Sequence, residues 1–204
     1  MNAPDTYASR FLSDTVEIVG RIDPNTIEQV VRVIRRTKDA GGRLFFCGSG
    51  GGAGHASHAA CDFRKLGGIE SYSVTDNVSE LTARTNDDSF ETAYSEWLKV
   101  SRLGPNDCLF VFSVGGGDEA RGVSLNLVSA MQLARSVNAS IVGVAGRDGG
   151  LLAQLADAAV VVPTLSAADV TAQTEGLQAV VWHLIVTHPD VCATAPHWES
   201  ITAP

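Results

Sequence analysis

The chain lacks most of what would direct it to nucleic acid, membranes or disulfide chemistry. Only 19% of its 204 residues are charged, and acids outnumber bases to leave a net charge of −8. Without a basic surplus, a general nucleic-acid or anionic-membrane surface is excluded, although a local loop can still hold a small anion against the overall field. No apolar run is long enough to span a bilayer. The opening residues Met1 to Tyr7 have neither the basic nor the apolar region of a secretion signal. The four cysteines (Cys47, Cys61, Cys108, Cys192) show no CxxC spacing. Cys47 and Cys108 fall in apolar runs and read as small buried hydrophobes. A reducing, cytoplasmic setting is the expectation. Low-complexity tracts and internal repeats are absent as well. What remains, with 45% hydrophobic residues, is a globular chain of single-domain size.

Two helical patterns open it. The first runs from about Asp5 to Gly20, with Tyr7, Phe11, Leu12, Val16 and Val19 on one stripe. The second follows Asp23-Pro24, an N-cap with proline at the first helical position, and ends near Gly41-Gly42. Short apolar runs then alternate with helical segments. The runs are Arg43 to Cys47, Ser71 to Val74, Cys108 to Ser113, Ile141 to Ala145 and Ala158 to Val162. Helices are expected at about 53–66, 88–101, 118–137, 149–156 and 170–187. Buried, all-apolar strands separated by helices predict right-handed βαβ units in an α/β, doubly wound, three-layer sandwich around a five-stranded, mainly parallel sheet. The expected division is N-terminal helices over 1–41, packing on the domain or an oligomer interface, an α/β core over 42–188, and an irregular extension over 189–204, packed through Trp198.

Ligands of such folds sit beyond the C-terminal strand ends, where both glycine loops of this chain fall. The first, Gly48 to Gly54, has five glycines in seven residues and leads into a helix carrying His58 and Asp62. A loop of bare N–H groups at a helix start suits an anion, and i, i+4 spacing puts His58 and Asp62 on one face. The loop contains GxGxxA, but Glu70 precedes the second strand and Asp76 comes late for a ribose-binding acid; no nucleotide cofactor is expected. The second loop, Ser113 to Asp118, follows the strongest strand, and Asp118 is placed to cap the next helix. Two such loops suit a phosphorylated substrate. The bland alternatives are tight turns without a ligand, a surface His/Asp pair, and, for His183 in its apolar helix, a core histidine bonded to a backbone carbonyl.

In order along the chain, Cys47-Gly48-Ser49-Gly50-Gly51-Gly52, then His58 and Asp62-Phe63, Thr85-Asn86-Asp87, Ser113 to Asp118, Gly146-Arg147-Asp148-Gly149-Gly150, and Glu175 with His183 resemble the sugar isomerase (SIS) fold, and most closely the sedoheptulose 7-phosphate isomerases. The resemblance implies an aldose–ketose isomerase acting through an enediol, with Asp62 as base and His183 as acid. It implies a divalent metal, zinc foremost, at His58, Asp62, Glu175 and His183. Substrate contacts would come from Ser49, Gly50, Gly51, Gly52, Asp87 and Glu175, with phosphate held by Ser113, Val114, Gly115, Gly116 and Gly117. It also implies a homotetramer with sites at subunit interfaces. Glu175 and His183 lie roughly 12 Å apart along a straight helix, so one ion needs both to lean inward, or the two serve different subunits' sites.

Three departures stand out. The family's hydroxyl-rich phosphate loop keeps only Ser113, with Val114, Gly115 and Asp118 where Thr, Ser and Ser are expected. Asp118 would repel phosphate unless turned away, and Arg121 or Arg64 could compensate. The acid is Asp62 rather than Glu, and Glu175 stands at a glutamine position. A longer substrate such as an octulose 8-phosphate is therefore a live alternative. A non-catalytic, sugar-phosphate-sensing module of the same fold is the rival reading. His55 is expected to be solvated, and His188 and His197 to lie on the surface.

Overall fold

A computed structural model describes residues 6–194. The calls on Trp198 and His197 lie outside them. The elements are α1 (Tyr7–Arg21), α2 (Pro24–Asp39), β1 (Leu44–Gly48), α3 (Gly51–Lys65), β2 (Ser71–Ser73), α4 (Val78–Asp87), α5 (Phe90–Val100), β3 (Cys108–Ser113), α6 (Leu125–Ser136), β4 (Ser140–Ala145), α7 (Gly150–Leu155), β5 (Ala158–Val161) and α8 (Val170–Thr187). The five strands form one parallel sheet in the order β2-β1-β3-β4-β5.

Strand alternation builds the three layers. Leu44 and Phe46, Cys108, Phe110 and Phe112, and Val142 and Val144 face a core shared with α1, α2, α3 and α8. Phe45 and Cys47, Leu109 and Val111, and Ile141 and Ala145 face the other core, with α5, α6 and α7. Because both faces are covered, every residue of β1 and β3 is buried, and these strands read as continuous apolar runs. Phe46, Phe63, Phe110 and Phe112 stack around 5 Å apart at the centre of the first core; removing one such ring costs about 3–5 kcal/mol.

Local signals set the helix starts. Asp23 caps α2 by accepting from the Asn25 N–H, with Pro24 at the first position. Asn77 does the same for α4 from Ser79 and Glu80. Two expectations are corrected here. α4 is absent from the expected helices; residues 85–87 form its last turn, and it has no buried residue and so no apolar stripe to announce it. The helix expected from 118 begins at Leu125. Before it, Asp118 and Val123 pair backbone to backbone across a tight turn, with Gly122 at φ +67°.

α1 is tied to α8 at two points, one of them the bonds between Gln173 and the Thr15 hydroxyl and Phe11 carbonyl, at 2.9 and 3.1 Å. Arg10 and the Tyr7 hydroxyl both reach the buried Asp169 carboxylate at the start of α8, at 2.8 and 3.2 Å. The outward side of α1 leaves Tyr7, Leu12, Val16 and Val19 exposed.

Candidate active site

Helices α3 and α8 leave the strand ends side by side and run in the same direction, since Glu175 meets Gly51 near their starts and His183 meets His58 two turns on. That arrangement gathers His58, Asp62 and His183. One ligand atom from each lies within 4.8 Å of the others. Asp62 Oδ2 is 3.8 Å from His58 Nε2 and 3.9 Å from His183 Nε2. Those separations are too long for direct hydrogen bonds and leave room for a cation or a reacting oxygen between the three groups. His183 Nδ1 bonds the Ala179 carbonyl at 2.7 Å. Nδ1 is therefore the protonated nitrogen, and the Nε2 lone pair is turned to Asp62. His183 thus makes the backbone-carbonyl bond of the bland alternative, but on the exposed side of α8 and not in the core. Trp182, fully buried, stacks on His183 with centroids 3.5 Å apart and meets His58 edge-on at 4.8 Å. It holds both rings in place.

The second cluster lies at the strand ends. A cleft of about 490 Å³ is lined by Ser49, Ser113, Gly115, Ser124, Arg147 and Thr171 among others. Ser49 Oγ accepts from Asn126 Nδ2 at 2.8 Å, and Ser113 Oγ accepts from the Gly116 N–H at 2.9 Å. Both hydroxyls have an acceptor role filled from within, which leaves their protons for a ligand.

No protein-family profile matches the chain. It is 34% identical over 196 residues to the lincomycin biosynthesis protein LmbN of Streptomyces lincolnensis, covering 91% of this chain and 70% of that one. It is 34% identical over 165 residues to the phosphoheptose isomerase of Akkermansia muciniphila, covering 78% and 81%. The chain belongs to the phosphoheptose isomerase family. The fold likeness agrees. Phosphoheptose isomerase GmhA from Neisseria gonorrhoeae superposes with a TM-score of 0.75 at 22% identity, covering 88% of this chain and 95% of that one. The sugar isomerase domain of an RpiR transcription factor from Sphaerobacter thermophilus does so at 0.59 and 18%, covering 88% and 89%.

As a phosphoheptose isomerase relative, the chain arranges its site residues differently from expectation in several places. The metal group comes together as three residues, not four. The Glu175 carboxylate lies instead over Gly51, where an added Cβ would meet its oxygens at 2.5 and 2.8 Å. It puts a negative charge at the positive end of α3, so the first loop is a poor phosphate cradle. Its glycines have structural causes. Gly50 has φ +58°, and a Cβ on Gly48 or Gly52 would strike backbone at 2.3 or 2.8 Å. In the second loop the Gly116 and Gly117 carbonyls accept from Leu152 and Leu151 at the start of α7, so only Ser113, Val114 and Gly115 of that loop line the cleft. Asp118 caps no helix. Its two oxygens take the Arg121 N–H at 3.0 Å and approach the Arg121 guanidinium at 3.6 Å. Arg64 donates to the Ser71 carbonyl and lies over Tyr72, engaged at β2. Asp87 ends α4, exposed.

Two residues went unanticipated. His55 is not solvated but half-buried, 5.9 Å from the Phe112 ring. Burial pulls its imidazole below the ordinary value, partly opposed by the Glu175 backbone. Its place one turn before His58 was the available signal. Arg147 lines the strand-end cleft; its signal was an arginine inside a turn otherwise made of Gly and Asp.

Proposed function

We propose that this chain is an aldose–ketose isomerase for a phosphorylated ketose of seven or more carbons, sedoheptulose 7-phosphate being the reference substrate. The observation that carries the reading is the convergence of Asp62, His58 and His183 within 4.8 Å in a member of this family. Isomerisation moves a proton between C1 and C2 through an enediol, which requires a base at carbon and an acid at the carbonyl oxygen. Asp62, a half-buried carboxylate between two imidazoles, takes the proton from carbon and returns it to the neighbouring carbon. His183 handles the oxygen proton at Nε2, because its Nδ1–H is fixed on the Ala179 carbonyl.

The donor set also fits a divalent metal. Two imidazole nitrogens and one carboxylate oxygen are what an open catalytic zinc site uses, with a fourth position free for substrate. Separations of 3.8 and 3.9 Å close onto bonds of about 2.0–2.2 Å with small side-chain rotations. An ion held there by His58, Asp62 and His183 would supply Lewis-acid stabilisation of the developing oxyanion.

The working site spans two copies of the chain. Asp62 lies 11 residues into α3 and His183 13 residues into α8, about 16 and 20 Å from the strand-end cleft at 1.5 Å per residue. An extended seven-carbon sugar phosphate is shorter than that. The cleft of one copy therefore serves the triad of another. The exposed stripe of α1 and the exposed Val180 and Leu184 flanking His183 supply apolar surface for the assembly, which we read as a tetramer.

The test is NMR detection of aldose from sedoheptulose 7-phosphate, with and without a chelator, alongside six- and eight-carbon homologues. Turnover that Asp62→Asn abolishes while the fold is retained supports the reading. An absence of turnover on every phosphorylated ketose, with and without added divalent metals, refutes it.

A further inference from the structure

We propose that Arg147 is the phosphate anchor of the strand-end cleft, so that this chain selects its substrate's anionic end by an exposed, unpaired guanidinium carried on a fixed backbone. The inference rests on the isomerase reading for the identity of the ligand. In a chain of net charge −8, Arg147 is the sole charged residue lining the 490 Å³ cleft. Several other arginines have carboxylate partners, among them Arg10 with Asp169, Arg43 with Asp107, Arg84 with Glu80, Arg121 with Asp118 and Arg135 with Asp157, and those without one, such as Arg64 at the Ser71 carbonyl, do not line the cleft. Arg147 has neither an ion pair nor a hydrogen bond among the described residues. An unneutralised guanidinium facing a cleft with two donor-ready serines, Ser49 and Ser113, fits a dianionic oxyanion group.

Its position is built in. Residues 146–150 dock backbone to backbone on the second glycine loop. The Gly146 N–H reaches the Val114 carbonyl at 3.0 Å, and an added Cβ on Gly116 would lie 1.8 Å from the Gly149 oxygen. The docking leaves no room for a side chain between the loops and sets Arg147 beside Gly115. A Cβ placed on Gly115 would stand 3.7 Å from an Arg147 terminal nitrogen. Arg147 itself sits at φ +56°, a left-handed conformation that costs a non-glycine residue roughly 1–2 kcal/mol. Glycines lie on both sides of the Arg147-Asp148 pair, so the conformation is not demanded by a lack of alternatives; the side chain is what a glycine at 147 would lose. Beyond Arg147 lies a second cleft of about 290 Å³ that shares Gly115, Val123 and Arg147 with the first and carries Asp118, Glu119, Asp148 and Arg121 on its wall. Arg121 is paired there with Asp118, so Glu119 and Asp148 leave that wall net acidic and unfavourable to a dianion. Arg147 therefore marks the end of the path for a phosphate.

The experiment uses Arg147→Gly and Arg147→Lys in the full chain. Glycine removes the guanidinium and relieves the left-handed backbone, so loss of binding is not loss of fold. Two readouts are taken: steady-state kinetics on sedoheptulose 7-phosphate, and protection of the protein against heat by inorganic phosphate. Arg147→Gly is expected to raise KM by about 10- to 100-fold, as for a lost charge-assisted contact, with the effect falling on KM more than on kcat. It should abolish phosphate protection, with Arg147→Lys intermediate. Unchanged KM and unchanged phosphate protection in Arg147→Gly would overturn the proposal. If the unaltered protein turns over no phosphorylated ketose, yet phosphate protects it and fails to protect Arg147→Gly, the anchor stands and the isomerase reading falls.

Discussion

Gly51→Ala separates the packing of the first glycine loop from its chemistry. A Cβ there would sit 2.5 Å from Glu175 Oε2, 2.6 Å from Cδ and 2.8 Å from Oε1. Ordinary contact needs about 3.5 Å, so the carboxylate must retreat by about 1 Å. It can do so, because it is the far end of a flexible, half-buried side chain. Replacing Gly by Ala in a helix returns about 0.5–1 kcal/mol, and an off-rotamer Glu costs about 0.5–1.5 kcal/mol. The two largely offset, leaving at most about 1 kcal/mol, and the melting temperature should move by no more than about 4 °C at 2–4 °C per kcal/mol for a domain of this size. Gly48→Ala is the control. Its Cβ would meet the Gly52 carbonyl group at 2.3 Å, backbone that cannot turn aside, for a loss of about 1–3 kcal/mol. A 1 Å displacement of a group that positions substrate can cost about 100-fold, so Gly51→Ala should keep its fold and lose at least tenfold in kcat/KM on sedoheptulose 7-phosphate. Thermal unfolding and steady-state kinetics decide it. Full activity in a folded Gly51→Ala protein refutes a role for Glu175 in the site, and a stability loss equal to that of Gly48→Ala refutes the packing argument.

Other outcomes follow from single contacts. The Asp169 carboxyl is held below its ordinary value by its hydrogen bond from Arg10 and then by that from Tyr7. Its stabilisation is therefore fully present above the unfolded carboxyl value of about 3.9 and is lost as pH falls through the lower folded value. Asp169→Asn should be less stable than the unaltered protein at pH 7, with the difference shrinking to nothing in acid; a pH-independent difference in urea unfolding refutes the link. Tyr94→Phe removes the buried hydroxyl that donates to the Gly48 carbonyl at 2.8 Å, leaving that carbonyl unpaired at a cost of about 1–3 kcal/mol. No change in its unfolding midpoint would mean that another donor replaces the hydroxyl.

The sheet was legible because both its faces are covered. The runs at 43–47, 108–113 and 141–145 carry no polar alternation to confuse with an exposed strand, and Asp23-Pro24 announces α2 by chemistry. α4 escaped because it buries nothing; its Asn77 cap was the only signal. The start of α6 escaped because the glycine loop continues seven residues further, through a turn closed by backbone pairing. At the site, the spacing of His58 and Asp62 on one face of α3 was readable, and so was the link to His183. The separation of Glu175 from His183 was half legible, since eight residues of helix put them roughly 12 Å apart; that the Glu175 carboxylate would lie over Gly51 was not. It depends on α8 running parallel to α3, which puts position 175 level with Gly51 and position 183 level with His58. The abundance of glycine in the first loop has a second reading the sequence did not separate, because three of those glycines answer to φ or to backbone approach.

The distance between the strand-end cleft and the His/Asp/His group has a further meaning. Each is rigid within its own chain, one locked by glycine-to-glycine docking and the other by Trp182 against two helices. In the two-copy site proposed above, the gap between them is a caliper whose jaws belong to different molecules. In that proposed assembly, substitutions on the exposed side of α1, at residues such as Leu12 and Val16, would slide one copy against another and reset the length of sugar accepted, with neither jaw altered. Relatives that share every catalytic side chain can therefore differ in substrate length through substitutions on a helix that touches no substrate.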